Sequence, residues 1–220
     1  MFSANQAVDH NVIKPVATAY KNNVPNRVQH GVHNFVTNLG EPVVLVNDLL
    51  QGNVSRAWNT TRRFVVNTTA GGIGIFDVAG GWGLPHHEAD FGQTFGVWGI
   101  GPGPAVQLPL LGPSNVRDSV GGVLGFVANP LSYVPGGAVS TVTIAGAGGG
   151  ALDTRSRLLG TTDSLEKNSL DYYATLRSIS AQRRAALVQE GRQGKVQGRV
   201  PGGSETQEPG LGVTGTPGAP

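Results

Sequence analysis

The sequence predicts an all-α fold, and three observations carry the prediction. Apolar residues recur at helical spacing in successive segments, first at Val8, Val12, Val16 and Tyr20, then at Val28, Val32, Phe35, Val36 and Leu39. The stretch Glu41 to Gly52, EPVVLVNDLLQG, reads as a helix apolar around nearly its whole circumference. Such a helix belongs inside a large core or in lipid. Finally, Phe64 to Leu152 carries formal charge only at Asp77, Glu88, Asp90, Arg117 and Asp118, and most of the chain's 34 glycines fall there. Charge depletion over that length means a membrane-contacting region or a very dry core.

The elements follow in order. Asn5 is placed to cap a first helix, which Lys14-Pro15 would kink. Val24-Pro25 marks a turn, and a second amphipathic helix is expected to stop at Gly40. Pro42 suits the first turn of the apolar helix, and Gly52 its end. Eleven residues rise only about 16 Å against roughly 30 Å of hydrocarbon, so this helix is too short to cross a bilayer. It is either a core helix or one arm of a hairpin dipping into a single leaflet. Asn53 caps a fourth helix with Ala57, Trp58, Thr61, Phe64 and Val65 on one face and Arg56, Arg62 and Arg63 elsewhere. Trp58 and the arginines suit a membrane interface.

Ala70 to Gly83 reads as a glycine-rich helix or tight re-entrant segment, and His86 to Asp90 as a polar loop. Phe91 to Pro104 has too many glycines for a stable helix and is expected to be irregular. Ala105 to Leu111 is extended, and Gly112-Pro113-Ser114 opens a helix with Arg117-Asp118 in its early turn, stopped by Asn129-Pro130. Ala138 to Gly160 forms a helix weakened at Gly146 to Gly150. The spacings Gly121/Gly125 and Gly146/Gly150 allow close helix approach. A last helix starts at Asp163 or Ser164 and runs to about Glu190. This gives a helical domain over residues 1–190 and a Gly/Pro-rich tail over 191–220, too poor in bulky apolar residues to fold.

No uninterrupted apolar run reaches the roughly 18 residues of a spanning helix. Broken backbone at membrane depth survives only where protein or a water-filled cavity satisfies it. Two pictures remain open at this point: a compact body sitting in lipid around its own cavity, and a soluble helical core with glycine-rich loops.

Little chemistry is visible. Sixteen Lys+Arg against 14 Asp+Glu give no concentrated basic face, so nucleic acid is not an expected partner. With no cysteine there is no disulfide framework and no thiolate site. His86-His87-Glu88 lacks metalloprotease spacing and is better read as a solvated loop. Gly99, Gly101 and Gly103 lack the lysine of a phosphate loop, and the nucleophile-elbow motif is missing. The two Asn-x-Thr sequons, at Asn59 and Asn67, fall on expected helices. Neither an enzyme nor a cofactor is expected. Arg117 and Asp118 are read as a structural ion pair. Asn5, Asn34, Asn38 and Asn47 are candidates to line a polar path, each with the alternative of a cap or a satisfied core amide.

Several long stretches, in the same order, resemble the MlaA/VacJ family of outer-membrane lipoproteins. They are Asn5…Asp9…Ile13-Lys14-Pro15-Val16-Ala17, His33-Asn34-Phe35…Asn38-Leu39-Gly40-Glu41-Pro42, Val46-Asn47-Asp48-Leu49-Leu50-Gln51-Gly52, Arg63-Phe64…Asn67-Thr68 and Gly74-Ile75-Phe76-Asp77-Val78-Ala79. Asp90 to Gly99, DFGQTFGVWG, and Leu108 to Ser114 with Arg117-Asp118 complete the set. The phenylalanine usual before Asn5 is Ala4 here, and the tyrosine usual after Gly103-Pro104 is Ala105. The resemblance implies a ring of amphipathic and re-entrant helices around a central amphipathic channel, held in the inner leaflet of the outer membrane. It implies association with a trimeric porin, withdrawal of misplaced outer-leaflet phospholipid, and its transfer to a soluble periplasmic carrier. The family's signal peptide and lipidated cysteine are not among these residues, so placement at the periplasmic side of the outer membrane rests on the resemblance. On this reading Asn5, Asn34, Asn38 and Asn47 line the lipid path, with Lys14 and Arg63 near a mouth. Phe91, Gly92, Gly96, Trp98 and Gly99 form a mobile rim, where a bulky residue at Gly92 or Gly96 is expected to block passage without unfolding the chain.

Overall fold

Pro15 decides how the chain begins. It has no N–H to give and its ring crowds the preceding turn. The helix responds by widening: α1 (Phe2–Val8) passes through a π-helical turn, Asp9–Ile13, into α2 (Lys14–Asn23), and the Lys14 N–H reaches back to the Asp9 carbonyl. The expected kink is thus a π turn. Asn5 is not a cap; it lies within α1 and its Nδ2 donates to the Leu108 carbonyl at 2.7 Å. The computed structural model describes residues 2–108, 111–129 and 137–194, and the backbone alone for residues 137–145 and 147. The tail from residue 195 onward and the stop at Pro130 lie outside the described residues.

Val24, held extended before Pro25, turns the chain into α3 (Asn26–Leu50). This is one helix of 25 residues, about 37 Å long. Gly40 does not end it and Pro42 sits inside it, contrary to the expected break. The helix persists because it is packed along its length by α4 (Val54–Thr69) on one side and by α8 (Gly137–Asn168) on another. On α3 the buried positions include Asn38, Glu41, Asn47 and Asp48; on α4 they are Arg56, Asn59, Thr60, Arg63 and Asn67 with Ala57. Both sets follow helical spacing, so each helix is amphipathic with its polar stripe turned inward. Arg56 and Arg63 are therefore core residues and not interface snorkelers; only Arg62 stays at the surface, its guanidinium 5.9 Å from the Trp58 ring.

A tight turn over residues 70–77 follows. Gly74 there has positive φ and lies so close to the Asn38 side chain that a Cβ would stand 2.5 Å from it. Asp77 caps the short α5 (Val78–Gly81). After the loop 84–90, Asp90 caps α6 (Phe91–Val97), whose helical form corrects the irregular structure expected from its glycines. The glycines are used for proximity: a Cβ on Gly121 would lie 2.2 Å from the Gly92 nitrogen. An antiparallel hairpin, β1 (Ala105–Leu108) with β2 (Gly112–Asn115), pairs Ala105 with Asn115 and leads into α7 (Val116–Val127), capped by Asn115.

The second glycine pair serves the same end. Gly146 and Gly150 of α8 face Leu39 and Val36 of α3, with Cβ positions 2.9 and 2.6 Å from those side chains. Asp163, expected to start a helix, lies inside α8, which runs to Asn168. The last helix, α9 (Tyr172–Gln193), is capped by Asp171 and ended by left-handed Gly194. The architecture is helical, with two short strands among the described residues. No helix among them is long and apolar enough to cross a membrane.

The α6–α7 crossing yields a test. Gly121→Ala is expected to cost about 3 kcal/mol from overpacking. Gly122→Ala, one position on and facing open space, is expected to gain roughly 0.5–1 kcal/mol. Thermal unfolding of the two variants in the same detergent checks the contrast.

Candidate lipid-facing surface and polar interior

The seam between α3 and α4 is ionic. Asp48, fully buried, accepts from Thr60 Oγ1 at 2.7 Å, meets His87 Nε2 at 2.9 Å and the Arg56 guanidinium at 3.3 Å. Two turns earlier on α3, Glu41 takes Arg63 Nε at 3.0 Å and His86 Nδ1 at 3.3 Å. Arg63 continues to Asp77 at 3.0 Å and to the Leu84 carbonyl. Asn47 accepts from Thr94 Oγ1 at 2.7 Å, which ties α6 to the seam. Buried charges are tolerable only when paired; each ion here has an opposite charge beside it, although Arg56 Nε and Nη1 make no hydrogen bond and the guanidinium donates only through Nη2, to the Glu88 carbonyl. Asp48, His87 and Thr60 contain the groups of a catalytic set, but all three are buried and the hydroxyl donates to the carboxylate. The arrangement braces helices and presents no nucleophile to solvent.

A second cluster joins α6, α7 and α9. Arg184 donates to both Asp90 oxygens, at 2.6 and 2.9 Å, and to Asp118 at 2.9 Å. Arg117 pairs with Asp118 at 2.9 Å, so the ion pair read from the sequence is part of a larger junction. Burial by itself would raise the Asp90 and Asp118 carboxyls. The bonds from Arg184, with Gln93 N–H on Asp90 and with Arg117 and Asn115 on Asp118, outweigh it and hold both below their ordinary range.

The candidate path residues do not share one lining. Asn38, Asn47 and Arg63 are buried in the seam, and Asn38 donates to Thr68 at 3.0 Å. Asn34 reaches the Ile75 carbonyl at 3.1 Å. Asn5 joins the hairpin, and Lys14 pairs with Asp163 at 2.7 Å. In the rim segment, Gly92 and Gly96 are buried. A Cβ at Gly92 would come within 2.7 Å of Arg184 and Asp118, and one at Gly96 within 2.6 Å of Val188. A bulky residue at either would break the junction, which corrects the expectation that it leaves the fold intact. Phe91 is half-buried beside them. Trp98 is exposed, its indole N–H on the Leu50 carbonyl at 3.0 Å, and Gly99 is exposed with positive φ.

Two cavities emerge that no spacing announced. A cleft of about 350 Å³ has Val36, Gly40, Val43 and Val44 of α3 as an apolar wall and His86, Glu88 and Asp90 of the loop as a polar one. A smaller cavity of about 220 Å³ lies where α1 and its π turn meet the hairpin, α8 and α9. His87 is buried, not solvated as the polar loop reading had it, while His86 faces the cleft.

The outside complements this interior. Trp58, Phe76, Trp82 and Phe126 are 60, 66, 66 and 76 % exposed, and Val116, Val120, Val123 and Val127 carry an apolar face along α7. So much exposed apolar surface around a charged core is unlike a water-soluble domain. These features define a helical, lipid-facing protein built without a spanning helix among its described residues.

The comparisons make that class specific. Residues 1–187 match the model of the MlaA lipoprotein family, and the chain belongs to that family. It is 34% identical over 196 residues to a protein of Shigella flexneri named intermembrane phospholipid transport system lipoprotein MlaA, covering 87% of this chain and 76% of that one. The identically named protein of Escherichia coli K12 is 34% identical over 202 residues, with the same coverage. An uncharacterised protein of Rickettsia bellii is 36% identical over 190 residues, 86% of this chain and 73% of that one. A chain in a solved structure described as "Structural basis for maintenance of bacterial outer membrane lipid asymmetry" superposes with a TM-score of 0.71 at 33% identity, over 82% of this chain and 90% of that one.

Two outcomes follow from the ionic clusters. Arg56→Met, which strands Asp48, is expected to cost about 3–5 kcal/mol, and Arg62→Met on the surface less than about 0.5 kcal/mol; thermal unfolding in detergent reads both. Carboxyls held below their ordinary value of 3.8 contribute stability above it, and that contribution is lost as pH falls through their folded values. Unfolding midpoints are therefore expected to drop below about pH 4, less steeply in Asp118→Asn than in the parent.

Proposed function

We propose that this chain gives phospholipid a passive passage in intermembrane transport and so helps maintain outer-membrane lipid asymmetry, as the names of its relatives indicate for them. It sits at the outer membrane on the periplasmic side, beside a trimeric porin, and hands misplaced outer-leaflet phospholipid to a soluble periplasmic carrier. It is not an enzyme. The observation that carries this reading is the amphipathic cleft beneath Gly40. A phospholipid has a charged head and apolar tails, and dehydrating the head in apolar protein is prohibitive. A cleft with a valine wall and a facing wall of His86, Glu88 and Asp90 lets the tails stay apolar while the head stays among polar groups. The apolar exterior and the polar brace inside it support a body set in lipid. A passive conduit follows chemical potential, so neither nucleotide nor nucleophile is required of this chain.

Gly40 supplies the test, because a Cβ there meets nothing within 4 Å. Gly40→Phe is expected to fill the cleft and lower phospholipid transfer from vesicles to a lipid-carrier protein by about tenfold, with the unfolding midpoint unchanged. Undiminished transfer by the folded variant overturns the cleft as the route. Failure of the parent chain to bind or transfer any phospholipid favours the rival reading, a non-conducting structural companion of the porin.

A further inference from the structure

Every phospholipid carries a phosphodiester anion, yet the polar wall of the cleft contains two carboxylates, Glu88 and Asp90. We infer that Arg183 of α9 sets which headgroup charge this cleft tolerates: by neutralising Glu88 it lets a phosphate, and above all a net-anionic head, move past the wall. This rests on the phospholipid-passage reading and adds to it a residue that governs specificity.

Both wall acids are matched from one helix. Arg183 Nη2 lies 2.7 and 3.0 Å from the two Glu88 oxygens, and the neighbouring Arg184 holds the two Asp90 oxygens at 2.6 and 2.9 Å. The acids line the cleft and the arginines do not. The two pairs differ in what else they do. Arg184 also donates to Asp118 at 2.9 Å and so belongs to the junction of α6, α7 and α9. Arg183 has Glu88 as its one ion-pair partner among the described residues, and the pair is open to solvent, its side chains 65 and 49 % exposed. An exposed ion pair contributes little to stability. What Arg183 brings to that place is its charge.

The loop that carries Glu88 does not depend on this pair for its position. Three buried side chains of α4 grip its backbone: Arg56 donates to the Glu88 carbonyl at 2.9 Å, Asn59 to the Pro85 carbonyl at 2.8 Å, and Arg63 to the Leu84 carbonyl. Removing the Arg183 charge therefore leaves the wall standing and bares one carboxylate in it. Glu41, the other carboxylate beside His86, is buried and stays with Arg63. Two like charges about 5 Å apart in a wet cleft repel strongly enough to slow passage about five- to tenfold.

The test measures transfer of phosphatidylglycerol and of phosphatidylethanolamine, separately, from vesicles to a lipid-carrier protein by the full chain. Arg183→Ala is expected to slow phosphatidylglycerol about five- to tenfold. Phosphatidylethanolamine, whose ammonium offsets its phosphate, should slow by about twofold at most. The unfolding midpoint should move by less than about 2 °C. The phosphatidylglycerol defect should shrink as salt is raised to about 0.5 M, which screens exposed charge. Arg183→Lys keeps the charge and should keep the transfer. Adding Glu88→Gln to Arg183→Ala should recover most of the loss, because the bared carboxylate is then gone. Arg177→Ala, on an exposed arginine of the same helix outside the cleft lining, should change neither lipid. An undiminished rate in Arg183→Ala, or an equal loss for both lipids, overturns the inference. So does a double variant that recovers nothing, which would make Arg183 itself a ligand for the phosphate. An equal loss in Arg177→Ala overturns it too, and assigns the positive charge of α9 to docking the carrier. Failure of the parent to transfer either lipid strikes the passage reading instead, so the two failures are distinguishable.

Discussion

The α3–α4 seam is the constraint on which the rest depends. Four side chains of α3, Asn38, Glu41, Asn47 and Asp48, face α4, α6 and the loop between them, and Arg56, Thr60 and Arg63 answer from α4. Once these ions are committed to each other they cannot face hydrocarbon, and the opposite sides of the same helices are left apolar. The exposed Trp58 and Val65 of α4 follow from the burial of Arg56, Thr60 and Arg63 at helical spacing. The seam also fixes the cleft. The Glu41–His86 contact and the His87–Asp48 contact hold the loop 84–90 over α3, and Gly40 lies on the face beneath it.

An ionic interior has a different energetic character from an ordinary core. In water, a buried ion pair commonly does no better than well-packed hydrocarbon of the same shape. In an apolar surrounding the comparison changes, because surface burial contributes little when the solvent is itself apolar. What then distinguishes one packing from another is directional: bonds such as Arg63 to Glu41 and Arg184 to Asp90 specify which helix lies beside which. The glycine contacts add proximity. Gly92 on Gly121 and Gly150 on Val36 bring backbones together where larger residues would hold them apart.

Much of the helical architecture was legible in the sequence, and the failures have physical causes. Periodicity reveals that a helix has two unlike faces but not which one turns inward; Val12 and Val16 keep the spacing of a core stripe and are exposed. Gly40 and Pro42 are local stop signals overruled by packing on both sides of α3. The glycines of α6 lower its propensity, yet Asp90 caps it and close contact with α7 holds it. Asp163 has the chemistry of a cap but spends its carboxylate on Lys14. In the site, Asn38, Asn47 and Arg63 were singled out from their type, and they lie buried among partners in the α3–α4 seam. The cleft was invisible because its walls, near Gly40 and near His86, are brought together only by tertiary folding. Gly40 carries no polar group to draw notice.

The π turn at Asp9–Ile13 has a bearing on how the N-terminal arm is oriented. A single surplus residue in a helical thread offsets everything before it by about 100° relative to everything after it. This offset lets one arm serve two masters, with Ala17 packed away inside the fold while Asp9 reaches Arg155 and Asn5 reaches the Leu108 carbonyl. Excising one residue between Asp9 and Ile13 would restore a regular thread and swivel the first two turns, unhooking Asp9 and Asn5 together while leaving α2 in its place. The direction in which that arm points is thus set by the one surplus residue that the thread takes in ahead of Pro15.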